Sequence, residues 1–137
     1  ILIIGLTDDP DRTPNMSIPD YTALTRETSR NLAPLRAKLP DVMQGFGALS
    51  KAALAPGALD AKTKELIAMA IGVASRCDDC LGFHAQALVR LGATPEEFRE
   101  MLGVAVYMGG GPSLMYAAHA GKAFDEFSAA KAAEATA

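Results

Sequence analysis

From residue 20 onward, apolar residues recur three and four positions apart almost without a break. No stretch alternates as a half-buried strand would. The pattern predicts an all-α fold of about six helices. Asp20 can cap a first helix, YTALTRETSRNL, which Pro34 stops or kinks. Pro40 opens a second, DVMQGFGALSKAAL, and APGALD (55–60) reads as a turn. Asp60 caps the third, AKTKELIAMAIGVAS. After Lys64 and Glu65 this helix is apolar on every side, which predicts burial all round. The fourth, CDDCLGFHAQALVRL, ends at Gly92. Thr94-Pro95-Glu96-Glu97 reads as a capping box with proline at the first helical position, opening EEFREMLGVAVYM. GGGP (109–112) separates it from SLMYAAHAGKAFDEFSAAKAAEA, whose alanine-rich tail after Ser128 is expected to fray.

Composition narrows the function classes. With 137 residues, half of them hydrophobic, the chain can bury a core of its own without disulfide staples. The formal net charge of −3 argues against nucleic acid and against an anionic membrane surface. No apolar run approaches the roughly 20 residues of a spanning helix. The first methionine is Met16. Residues 1–19 are expected to be an N-terminal extension, partly non-native or leader sequence, with residues 20–137 as one domain. The glycines of GGGP do not read as a phosphate cradle, because no strand precedes them and no Lys-Ser or Lys-Thr follows.

The chemistry concentrates in SRCDDCLGFH (75–84), which holds both cysteines and one of the two histidines. On a helical wheel Cys77, Cys80 and His84 fall within an arc of about 60°, and Leu81, Leu88 and Leu91 continue that stripe toward the core. Asp78, Asp79, Gln86 and Arg90 lie to the other side. A helix N-terminus offers unpaired N–H groups and partial positive charge, which favour a thiolate. His84, one turn on, can take or return a proton. A second thiol three residues away can resolve a sulfenic acid into a disulfide. A loop that small adds little stability, so a structural staple is not the expectation and a cytoplasmic setting is the default. If the chain reverses near Ser75-Arg76, Glu65 and His84 sit at comparable distances from the corner and can pair. A carboxylate in that apolar wall is costly unless paired. Two alternatives stay open: a zinc site built from Cys77, Cys80, His84 and Glu65, and a non-catalytic redox-sensing or assembly module. The absence of a βαβ pattern excludes a thioredoxin fold. His119 is read as mainly structural, and Phe83, Tyr107 and Met108 as core.

Glu65, Cys77, Cys80 and His84 together give E-x11-C-x2-C-x3-H. This spacing, with LGATPEEFREMLGVAVYMGGGPS after it, resembles the alkylhydroperoxidase D-like branch of the carboxymuconolactone decarboxylase family over about residues 40–127. The resemblance implies a helical bundle around a central buried helical hairpin. It implies a thiol-dependent hydroperoxide reductase or disulfide oxidoreductase, with Cys80 as the peroxidatic thiolate and Cys77 as its resolving partner. His84 and Glu65 would form the proton relay. It implies no haem, flavin or metal cofactor, a small hydroperoxide as substrate, a dithiol donor such as a lipoyl or thioredoxin-type protein, and a homo-trimer or hexamer. One departure is Asp79, where studied members have histidine; a negative charge beside Cys80 opposes thiolate formation.

Overall fold

Helices begin where side chains satisfy the first backbone donors. The computed structural model describes residues 18–137, so the expectation for residues 1–15, and most of the 1–19 extension, lies outside the described residues. Asp20 accepts from the Ala23 amide at 2.9 Å and starts α1 (Tyr21–Asn31). Asp60 accepts from the Thr63 amide at 2.7 Å and starts α4 (Ala61–Ala74). Thr94 and Glu97 exchange both bonds of the capping box at the head of α6 (Pro95–Ala135). Between these, α2 (Ala33–Lys38) and α3 (Pro40–Leu54) each open on a proline in the first turn, where its missing N–H costs nothing. Pro34 thus ends one helix and begins another short one, which the periodicity did not predict. With α5 (Asp78–Arg90), every described helix is placed and no strand lies among the described residues.

Two corners are closed alike. At the end of α4 the Cys77 amide bonds the Gly72 carbonyl and the Arg76 amide bonds that of Val73. At the end of α5 the Ala93 and Gly92 amides do the same to Leu88 and Val89. Each is a Schellman closure needing a left-handed residue: Gly92 takes φ 76°, and Arg76 takes φ 56° in the same role. The reversal after Ser75 therefore occurs where the hairpin reading needs it.

α6 contains a second hairpin. Gly110 within it adopts φ 69°, ψ −153°, outside the helical region. The rings of Phe98 and Phe124 stack with centroids 4.3 Å apart, whereas a straight helix would hold those positions about 39 Å apart. The chain folds back at Gly110, and the limbs on either side run against each other. GGGP is a helix-to-helix turn confined to one non-helical residue.

The core is shared by α4, α5 and the two limbs of α6, with α1 laid across α5 and α6. Met69, Val73, Leu81, Ala85, Leu88, Ala120 and Ala123 are fully buried, as is Tyr21 from α1. No residue of α2 or α3 is buried. Four expectations need correction. α4 is not buried all round: Glu65, Met69, Gly72 and Val73 face the core, while Ile67 and Ile71 are 45% and 60% exposed. Tyr107 and Met108 are not core residues, at 83% and 75% exposed, and Leu91 leaves the buried stripe of α5. The last helix does not fray after Ser128. It runs to Ala135, anchored by a 3.0 Å bond from Lys131 Nζ to the Val89 carbonyl.

Candidate functional site

The site is built at the head of α5. Cys77 is its N-cap, with extended backbone, and its Sγ accepts the Cys80 amide at 3.2 Å. Cys80 follows three positions on. The two sulfurs form a disulfide, with Cα atoms 5.2 Å apart, and both residues are half-buried. The helix N-terminus therefore presents its first amides and its positive end to this pair. Close packing of α4 on α5 holds it in place: a Cβ on Gly72 would sit 3.3 Å from the Cys80 Cβ.

The hairpin brings the expected carboxylate to the expected imidazole. His84 Nδ1 and Glu65 Oε2 are 2.6 Å apart. Glu65 is buried, and the His84 side chain keeps 28% of its surface. An ionised carboxylate can only accept, so His84 Nδ1 carries the hydrogen and Nε2 is left to exchange a proton. Glu65 thus escapes the penalty of an unpaired charge in an apolar wall. His84 and Glu65 thus pair across α5 and α4, and Cys80 packs against α4 at Gly72. Among the described residues no three His, Cys, Asp or Glu side chains converge as a metal site requires.

A second carboxylate cluster escaped the sequence reading. Asp78, expected to face away from the cysteine stripe, has its Oδ1 2.6 Å from the Tyr21 hydroxyl and 2.9 Å from His119 Nδ1. The hydroxyl donates, and His119 donates from Nδ1 to the ionised acid. His119, placed as mainly structural, also stacks on Tyr116 with ring centroids 4.6 Å apart. Tyr21 is fully buried, its amide donates to Glu126 at 2.7 Å, and burial together with the Asp78 carboxylate raises its phenol well above the usual range. Asp79 accepts a bond from the Thr28 hydroxyl of α1. Both residues between the cysteines are therefore tied to α1. The nearest signal in the sequence was the pairing of two acids in the first turn of a helix, which reads more simply as dipole complementarity.

Phe83 is half-buried and faces a cleft of about 890 Å³ between α1, α5 and the end of α6, with Val89 and Phe127 also in its lining and Arg26, Arg30 and Arg90 among its charged residues. No helix among the described residues is long and apolar enough to cross a membrane.

Comparison with known proteins identifies relatives of the same fold. A crystal structure of a carboxymuconolactone decarboxylase family protein from Legionella pneumophila superimposes with a TM-score of 0.78 at 57% identity, over 79% of this chain and 96% of that one. A family member from Thermotoga maritima, at 29% identity, gives 0.68 over 85% and 96%. An uncharacterized protein of Cupriavidus necator is 43% identical over 108 residues, 79% of this chain and 95% of its own length. Another, from the cox locus of Paracoccus denitrificans, is 36% identical over 85% of this chain and 98% of its own length. The family model itself matches residues 40–123, more than half of the sequence, and on these grounds the chain belongs to the carboxymuconolactone decarboxylase family.

Proposed function

We propose that this chain is a thiol-dependent hydroperoxide reductase that cycles Cys77 and Cys80 between dithiol and disulfide. The observation that carries the reading is the 2.6 Å pairing of His84 with buried Glu65, one helical turn beyond a cysteine pair at a helix N-terminus. In the first step the Cys80 thiol gives its proton to His84, and the thiolate attacks the peroxide O–O bond. The O–O bond breaks, Cys80 becomes a sulfenic acid, and the departing alkoxide or hydroxide takes the proton back from His84. Glu65 orients the imidazole and stabilises its charged form between these transfers. In the second step the Cys77 sulfur attacks the Cys80 sulfenic sulfur, the disulfide forms, and the hydroxyl leaves with the Cys77 proton as water. The Cys80 amide at the Cys77 sulfur favours the anion that this attack needs. An external dithiol, of lipoyl or thioredoxin type, then returns two electrons by exchange and leaves as its own disulfide.

The Thermotoga maritima relative carries a suggested part in the antioxidative response, which agrees with this chemistry. A homo-trimer or hexamer in the cytoplasm completes the proposal. The apolar side chains left exposed on α3, α4 and both limbs of α6 are the surface such an assembly would cover.

Cys80→Ser tests the assignment. Stopped-flow consumption of hydrogen peroxide and of an alkyl hydroperoxide, with a dithiol donor in excess, should fall to the uncatalysed rate. Without the donor, Cys77→Ser should consume one equivalent of peroxide and stall as a sulfenic acid that dimedone traps. Full turnover by the Cys80 variant would overturn the reading.

A further inference from the structure

Asp78 sits between the two cysteines, one residue from Cys77. Three helices converge on it: Tyr21 from α1 and His119 from the second limb of α6 both donate to one of its oxygens, at 2.6 and 2.9 Å. Its carboxylate shares the N-terminus of α5 with the sulfurs, so the field that would favour a thiolate is partly spent on Asp78 and Asp79. Carboxylates here also repel a thiolate directly. Each donor on Asp78 draws its charge away from the sulfurs. The buried Tyr21 hydroxyl makes its side-chain bond to this acid, and α6 reaches the core through Ala120, Ala123 and Phe124 without His119.

We propose that Tyr21 and His119 are positioning residues that hold and partly compensate the Asp78 carboxylate by hydrogen bonds and thereby set how readily the neighbouring thiols ionise. The inference rests on the redox reading only in that Cys77 and Cys80 are a working thiol pair. The titratable groups around the pair are Asp78 and Asp79 on α5 with His84 a turn on, Glu65 on α4, Arg76 in the corner, Tyr21 on α1 and His119 on α6. Asp79 carries its own donor, Thr28, and Glu65 is matched to His84, which leaves Asp78 as the acid whose compensation comes from two other helices.

The two kinds of substitution should act in opposite directions. The reduced full-length protein is titrated with pH, and thiolate is followed by its ultraviolet absorbance. Asp78→Asn removes the charge and should bring thiolate formation to lower pH by about one unit, a tenfold gain in thiolate fraction on the rising part of the curve. Tyr21→Phe keeps the buried ring and loses only the hydroxyl. His119→Phe keeps a ring against Tyr116 and loses the donor. Both should move the curve to higher pH by several fold in thiolate fraction. A loosening of α5 would act alike in all three variants, so the opposed signs separate electrostatics from packing. The proposal is overturned if Tyr21→Phe and His119→Phe leave the curve in place or move it the same way as Asp78→Asn. The readout does not depend on peroxide turnover, so its failure and that of the peroxidase reading are distinguishable.

Discussion

At the scale of single residues, the pair that matters most is the buried acid and the imidazole it holds. Glu65→Gln keeps the shape and the packing of the side chain but removes the charge that stabilises a protonated His84. General acid–base help of this kind is worth about 10² to 10⁴ in rate. Since a glutamine oxygen can still accept from Nδ1, the orienting bond survives and the expected loss is nearer the lower figure. Single-turnover kinetics of Cys80 oxidation check it, and an unchanged rate would remove Glu65 from the mechanism. This pair was legible in the sequence because its partners lie on two consecutive helices, at matched distances from one corner. Asp78 was not legible. Its partners stand 57 and 41 positions away, on helices whose relative placement no local pattern records. Its position on the wheel, away from the buried stripe, pointed to solvent, but α1 covers that side.

At the scale of elements, helix starts were the most legible feature, because a cap is a local bond between residues three apart. Interhelical contacts depend on what is missing as much as on what is present. Gly82 lies where α1 crosses α5. A Cβ there would stand 2.7 Å from Thr25 Cγ2 and 3.4 Å from Tyr21 Cδ1. Thr25 cannot easily turn aside, since it is buried and its hydroxyl bonds the Tyr21 carbonyl at 3.0 Å. Gly82→Ala should therefore push α1 outward and cost about 2 kcal/mol, as overpacking does. Thermal unfolding checks the loss. Adding Thr25→Ser removes the clashing methyl and should recover a good part of it. The same displacement would stretch the Tyr21–Asp78 bond, so the single variant should also move thiolate formation in the direction of Tyr21→Phe. Nothing in the sequence distinguished this glycine from others in helices, because its reason lies in another element.

At the scale of the whole molecule, the apolar surface is out of proportion to the core of one chain. Val42, Phe46 and Leu49 on α3 are each more than 60% exposed, as are Val104, Tyr107 and Met108 on α6. Ile67 and Ile71 on α4 leave one flank of the α4–α5 hairpin bare as well. The periodicity of α4 predicted burial on all sides, and within a single chain that prediction fails on this flank. A neighbouring copy would reconcile the two, since a helix apolar all round needs cover all round. The expected particle is three or six chains of 14.3 kDa each. Sedimentation equilibrium measures it directly. Tyr107→Glu and Ile71→Glu place a charge where the contact would be dry, and each should shift the particle toward single chains by leaving that charge unpaired in the interface. Neither residue is one of the four proposed for the chemistry. A monomeric variant that still forms the Cys77–Cys80 disulfide but loses peroxide turnover would place part of the working site on a partner copy. One that keeps turnover would confine the chemistry to a single hairpin. A parent protein that sediments as one chain at micromolar concentration would rule out assembly as the reason for these faces.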